Sequence, residues 1–219
     1  MSSSKPILYS YWRSSCSWRV RIALELKGIE YEYKAVNLLA SGQIEEPFLK
    51  LNPRGMVPAF IYDGKTYSES MAIIEFIDEK FQNGPSLLPK TPEERAIVRS
   101  LAYGITSNIQ PLQNLNVLKY IAKGDQQKSN EHAHHFIQRG FNALEKDLSK
   151  TAGKYCFGDT ITIADLCIPP QVYNATRFGV NMDEYPTIKR LNETLSAIPE
   201  FIKADAWHQP DTPDAEKKN

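Results

Sequence analysis

Ser14-Ser15-Cys16-Ser17-Trp18-Arg19-Val20-Arg21 sets three hydroxyls and a thiol between a strand signal and a helix signal. The short apolar run Ile7-Leu8-Tyr9 precedes it, and the helical pattern Val20-Arg21-Ile22-Ala23-Leu24-Glu25-Leu26-Lys27-Gly28 follows. A helix N-terminus leaves backbone N–H groups unpaired and carries partial positive charge. Such a turn binds anions and favours a thiolate over a thiol. Capping a helix needs one serine. A cluster of serines with a cysteine inside it points to chemistry as well as capping.

Working outward, residues 5 to about 82 alternate strand and helix signals. Ile29 to Val36 alternates apolar and polar residues, the period of a strand, after the helix stop Gly28. With the first strand and helix it predicts a βαβ unit. Ala59-Phe60-Ile61-Tyr62, Asp63-Gly64 and Lys65-Thr66-Tyr67 predict a hairpin, because Asp-Gly supplies the positive φ angles of a tight turn. A helix with Ile73, Ile74, Phe76 and Ile77 follows, with Ser68 or Ser70 near its start. The order βαβ, helix, ββα is that of a thioredoxin-like domain, placed at residues 4–83. Asn83-Gly84-Pro85, with Pro89 and Pro92 nearby, marks a linker.

Residues 91–208 carry no strand signal and predict an all-helical domain. Glu93 to Ala122 reads as one long helix interrupted near Gln110-Pro111. His132 to Leu148 is amphipathic. Thr162 with Asp165 has capping-box spacing, and Tyr185 to Ile198 forms a last helix. Residues 209–219, rich in Pro, Asp and Lys, predict a loose tail. His132, His134 and His135 cluster, but zinc sites need three or four converging ligands, so a solvated helix face is expected and no metal.

Composition narrows the function classes. The 219 residues carry 26 basic and 26 acidic side chains, which is not the basic footprint of a nucleic-acid binder. At 42% apolar content the chain can bury a substantial core, yet no apolar run is long enough to span a bilayer. Met1-Ser2-Ser3-Ser4-Lys5 lacks an apolar signal core. Cys16, Cys156 and Cys167 are few and contain no Cys-x-x-Cys pair, which suits a reducing cytoplasm. Cys156 and Cys167 lie in apolar surroundings and are expected as buried core thiols.

The string Lys5-Pro6-Ile7-Leu8-Tyr9-Ser10-Tyr11-Trp12-Arg13, running into Ser14 and on to Leu24, resembles the signature of the zeta-class glutathione transferases almost residue for residue. The two-domain order is similar to cytosolic glutathione transferases in general, so the resemblance covers the whole chain. It implies glutathione as cofactor, a homodimer, and a small dicarboxylate substrate. The implied reaction is cis–trans isomerisation of maleylacetoacetate to fumarylacetoacetate in tyrosine and phenylalanine catabolism, with side transferase activity on halogenated acids and other electrophiles. A primarily conjugating transferase, a Cys16-dependent thiol reductase and a non-catalytic interaction module remain the alternatives.

The resemblance also implies roles. Ser14 would hydrogen-bond the glutathione thiolate, Ser15 would add electrostatic support, and Cys16 would lie beside the thiol without being obligatory. Ser17, Trp18 and Arg19 complete the motif around the cofactor. In Asn52-Pro53-Arg54-Gly55-Met56-Val57-Pro58 the Val57–Pro58 bond would be cis, and the Val57 backbone would pair with the cysteinyl part of glutathione. Glu69 and Ser70 would hold the zwitterionic γ-glutamyl end; a capped helix with a solvated glutamate fits the same residues. The family often has Gln at the Glu69 position. Gln43 would meet the glycyl end. Gln110, Asn114, Leu115 and Asn116 would border the site, and a kinked helix with exposed amides is the rival reading. Arg177 would bind a substrate carboxylate in a two-bond fork, with Arg13, Arg19 and Arg21 as rivals.

Overall fold

The computed structural model describes residues 5–218; Met1–Ser4, at the start of the expected first domain, and Asn219 lie outside the described residues. The chain forms two compact units. One runs up to Ser86 and resumes at Ile198; the other is Leu87–Ala197. Among the described residues no helix is long and apolar enough to cross a membrane.

The first unit begins with β1 (Ile7–Ser10), α1 (Ser15–Leu26), β2 (Glu32–Ala35), α2 (Glu46–Leu51), β3 (Ala59–Tyr62), β4 (Lys65–Ser68) and α3 (Ser70–Lys80). The sheet order is β2-β1-β3-β4, the arrangement expected of a thioredoxin-like domain. β1 and β2 are parallel, and a parallel pair needs a crossover, which α1 supplies. β3 is antiparallel to both its neighbours. Asp63 and Gly64 both have positive φ, as the tight hairpin turn requires. Val20, Ile22, Ala23 and Leu24 of α1 pack with Ile73, Ile74 and Ile77 of α3 in the buried core. β2 is shorter than the alternating run Ile29–Val36, because it is an edge strand that is mostly exposed.

Register places the site. Tyr9 lies opposite Ala59, and Ala59 opposite Ser68. The end of β1, the start of β3 and the end of β4 are therefore neighbours. The turns leading to Ser14, from Val57 and into Ser70 leave the sheet at that one end.

The second unit holds α4 (Pro92–Thr106), α5 (Leu115–Ala122), α6 (Gln126–Thr151), α7 (Ile168–Arg177) and α8 (Pro186–Ser196), with no strand element among its described residues. The long helix expected over 93–122 is two helices, α4 and α5, joined by a 3-10 turn at Gln110–Gln113. Pro111 lacks a backbone N–H, so the break is a full stop. A new start follows it: the Asn114 side chain accepts from the Asn116 N–H at 3.1 Å. Asp165 is fully buried and accepts from the backbone N–H groups of Cys156 and Thr162, each at 2.8 Å, and from the Thr162 hydroxyl at 2.9 Å. Only half of a reciprocal capping box forms, since the Thr162 hydroxyl donates to Asp165. Cys156 and Cys167 are buried, and burial pushes the Cys156 thiol well up.

The chain's end departs from expectation. α9 (Pro199–Ala204) and the residues after it belong to the first unit, neither to a helical domain ending at 208 nor to a loose tail at 209–219. Trp207 meets Trp18 edge-on at 5.8 Å. Gln209 and Thr212 are buried, and each bonds backbone carbonyls: Gln209 Nε2 donates to Lys203 and Asp205, and the Thr212 hydroxyl to Ala206. Polar composition suggested solvent exposure, but these polar groups satisfy buried backbone.

Candidate active site

Ser14 is the N-cap of α1, with φ −67° and ψ 113°. Its hydroxyl oxygen accepts from the Ser17 N–H at 3.2 Å, and its carbonyl from the Trp18 N–H at 2.8 Å. The first turn of α1 holds no acidic residue, so no side-chain charge there opposes an anion. Ser14 and Cys16 are half-buried. Arg19 is buried and donates from Nη2 to Cys16 Sγ at 3.0 Å.

The turn before Ser14 is held from below. The Ser14 N–H donates to the Tyr11 carbonyl at 2.9 Å. Arg21, fully buried, donates to Ser10 Oγ at 3.1 Å and to the carbonyls of Tyr11 at 3.3 Å, Trp12 at 2.8 Å and Ala204 at 2.8 Å. Burial lowers the Arg21 guanidinium, while Tyr33, Tyr31, Asp211 and Asp205 oppose that effect. Arg21 is thus a structural cation and drops out as a rival for substrate carboxylates. Asp211 accepts from the Trp12 N–H at 3.0 Å and from the Tyr33 hydroxyl at 2.6 Å. Arg13, half-buried, lies over the Trp12 ring at 5.5 Å.

At the same sheet end the Val57–Pro58 bond is cis, as the resemblance implied. Asn52 Nδ2 closes the preceding loop on the Met56 carbonyl at 2.7 Å. Glu69 stands at the N-cap of α3 with φ 69°, a conformation that non-glycine residues adopt only when their surroundings impose it. Its side chain makes no capping bond and pairs with Arg54 Nε at 3.5 Å, while Arg54 Nη1 donates to Ser68 Oγ at 3.1 Å. Ser70 opens α3 and is buried. The cap position of α3 is therefore held by Glu69 and not by Ser68 or Ser70, and no side chain caps the helix. Gln43 is buried in a 3-10 turn, and its Oε1 has no hydrogen-bond partner among the described residues.

Ser14, Ser15, Cys16, Val57, Glu69 and Ser70 thus share one end of one sheet. The side chains of Ser17 and Trp18 are buried, Trp18 against Trp207, and the Ser17 backbone N–H joins the cluster through Ser14. Arg54 and Asp211 received no role from sequence. Arg54 is the charged residue of the Asn52–Pro58 loop, a signal that could have found it; Asp211 sits in a stretch whose composition hid it.

In the second unit, Gln110 opens the 3-10 turn, Asn114 caps α5, Leu115 and Asn116 form its first turn, and Arg177 ends α7 with its guanidinium over the Phe178 ring at 5.2 Å. Of the three histidines only His135 is exposed, as expected of a solvated face; His132 and His134 are half-buried. His132 Nε2 lies 3.1 Å from the Leu112 carbonyl and His134 Nδ1 3.0 Å from the Phe178 carbonyl, each ring N–H donating. They tie α6 to the 3-10 turn and to the end of α7.

Two family models match the chain: the glutathione S-transferase N-terminal domain over residues 13–80 and the C-terminal domain over residues 114–204. The maleylacetoacetate isomerase of Dictyostelium discoideum is 52% identical over 96% of this chain and 98% of its own length. That of Rattus norvegicus is 51% identical over 97% and 98%. Among solved structures, maleylacetoacetate isomerase from Anaeromyxobacter dehalogenans with glutathione bound in the active site matches with a TM-score of 0.87 and 43% identity over 95% of this chain and 98% of its own. A maleyl pyruvate isomerase, described as a bacterial glutathione transferase of the zeta class, matches with a TM-score of 0.91 and 38% identity over 94% of this chain and 100% of its own. With half its residues identical to such relatives over nearly its full length, and a serine-capped helix at the end of a thioredoxin-like sheet, the chain belongs to the zeta class of the glutathione transferase family.

Proposed function

We propose that this chain is a glutathione-dependent isomerase that converts maleylacetoacetate to fumarylacetoacetate. The observation that carries the reading is the Ser14 hydroxyl at the N-cap of α1: its oxygen is engaged by the Ser17 N–H, so its proton is left to donate. The residues fit the cofactor's chemistry. Glutathione has a thiol, two carboxylates and an ammonium; the cluster offers a hydroxyl donor, two helix N-termini and the Glu69 carboxylate.

When bound, glutathione would supply a thiol nucleophile whose addition turns the conjugated double bond into a single bond free to rotate, and whose departure restores the double bond as trans. Ser14 donates to the sulfur, and Ser15 with the first N–H groups of α1 adds positive potential. Lowering a thiol from ~8.5 by ~2 units takes about 2.7 kcal/mol, within reach of one hydroxyl donor and a helix N-terminus. Glu69 receives the ammonium, and Ser70 with the α3 N-terminus receives the γ-glutamyl carboxylate. Val57 pairs with the cysteinyl backbone, and Gln43 meets the glycyl end. In the helical unit, Gln110, Asn114, Leu115 and Asn116 border the ligands, and Arg177 takes a substrate carboxylate, with Arg13 as the second candidate. The same residues serve side conjugation of halogenated acids.

The enzyme is proposed as a cytoplasmic homodimer acting in tyrosine and phenylalanine catabolism. Exposed Leu39, Ile44 and Met56 in the first unit, and exposed Ile97 and Tyr103 on α4, support association with a second copy. Sedimentation showing only monomer at micromolar concentration would contradict it. Product analysis with maleylacetoacetate and glutathione tests the activity. Recovery of the trans isomer with glutathione returned supports isomerisation; accumulation of a glutathione adduct points to a conjugating enzyme.

A further inference from the structure

We propose that Asp211 is a positioning residue for the thiol-binding serine: with Arg21 it clamps both backbone groups of Trp12 and so sets the turn that aims Ser14. The inference rests on the reading of Ser14 as the residue that holds the glutathione thiol.

Tyr11 to Ser14 forms a turn, closed by the Ser14 N–H on the Tyr11 carbonyl. Trp12 is its second residue. The Trp12 N–H donates to Asp211 Oδ2 at 3.0 Å, and the Trp12 carbonyl accepts from Arg21 Nη2 at 2.8 Å. Each bond has one charged partner, the stronger and shorter class of hydrogen bond. Rotating the Trp12 peptides would break one or both, so Ser14 enters α1 in a single orientation. Both ions are anchored elsewhere in the same unit. Asp211 is held by the Tyr33 hydroxyl at 2.6 Å, and Arg21 by the Ala204 carbonyl at the end of α9. The segment after α9 is therefore a strap that joins β2 to the turn.

The chemistry selects a carboxylate at this position. Trp12 N–H and Tyr33 O–H are both donors aimed at one side chain. A carboxylate has an acceptor oxygen for each; an amide has one acceptor and presents a donor to the other. Asp211 also favours the buried Arg21 charge, together with Tyr33, Tyr31 and Asp205. Misplacing a reacting group by a fraction of an ångström lowers the rate of the chemical step more than it weakens binding.

The test titrates glutathione bound to the intact enzyme, following thiolate absorption in the ultraviolet, beside steady-state kinetics and hydrogen exchange at the Trp12 amide. Asp211→Asn is expected to raise the bound thiol pKa by about half to one unit and to lower kcat about tenfold, with the glutathione KM within about twofold. Trp12 exchange should quicken. Tyr33→Phe keeps the Trp12 bond and frees the strap, so it should shift the same readouts by a smaller amount. Ser14→Ala is run in parallel. If it raises the thiol pKa while Asp211→Asn leaves titration and kcat at wild-type values, the clamp is overturned and the role of Ser14 stands. If Ser14→Ala leaves the thiol unmoved, both fall. Should Asp211→Asn not fold, Tyr33→Phe decides: wild-type titration in that variant overturns the clamp.

Discussion

The Ser17 backbone N–H donates to the Ser14 hydroxyl oxygen at 3.2 Å, so one serine is at once a helix cap and a donor with a free proton. The two tasks separate experimentally. Ser14→Ala loses both: about 1 kcal/mol of stability for the cap, and at least about tenfold in turnover for the donor. Urea unfolding and steady-state kinetics measure the two losses. Ser14→Thr retains a hydroxyl and should recover most of each. An alanine variant with wild-type turnover would place the donor elsewhere.

The Cys16 sulfur accepts from Arg19 Nη2 at 3.0 Å. In an isomerase that draws its nucleophile from glutathione, Cys16→Ala keeps glutathione-dependent turnover within roughly threefold of wild type, with a changed substrate KM. Loss of all activity in this variant, alongside an active Ser14→Ala, would identify a cysteine-dependent thiol reductase.

Arg177 is expected to act on charge. A buried carboxylate deprived of its partner costs roughly 2–5 kcal/mol. Arg177→Ala should therefore depress isomerisation of dicarboxylates far more than conjugation of neutral haloaryl electrophiles, with glutathione affinity nearly unchanged. Equal loss of both activities would make Arg177 structural and pass the role to Arg13.

Burial pushes the Tyr31 phenol up to about 12 and the Tyr33 phenol up further, Arg21 only partly opposing it in each case. The folded chain keeps these protons at a pH where the unfolded chain, with phenols near ~10, has lost them. Their contribution is whole below that pH and declines above it, so stability should fall as pH rises past about 10. Urea midpoints between about pH 9 and pH 11 measure the slope, and Tyr33→Phe should flatten it. An unchanged slope in that variant would show that Tyr33 titrates normally.

Periodicity and turn chemistry made the first domain legible. The alternating strands, the Asp63-Gly64 turn and the serine cluster are local signals, and each appears where the residues place it. The cis Val57–Pro58 bond was legible only through family resemblance, because nothing in the local residues favours it over trans. Arg21 stood among the candidates for substrate carboxylates; its acceptors are three consecutive residues, Ser10, Tyr11 and Trp12, and the distant Ala204, a set that only the fold assembles. Asp211 was illegible for the same reason: its partners, Trp12 and Tyr33, are 199 and 178 residues away. The bonds of His132 and His134 to the Leu112 and Phe178 carbonyls depend on how helices pack, which a single-helix pattern does not encode.

The most direct test of the central claim is conversion of maleylacetoacetate by the purified enzyme under three conditions: with glutathione, with S-methylglutathione, and with neither. The expected result is rapid formation of the trans isomer with glutathione alone, and glutathione recovered unchanged at the end. Conversion at a comparable rate with S-methylglutathione, or with no thiol present, would contradict a mechanism in which Ser14 exists to hold a thiolate.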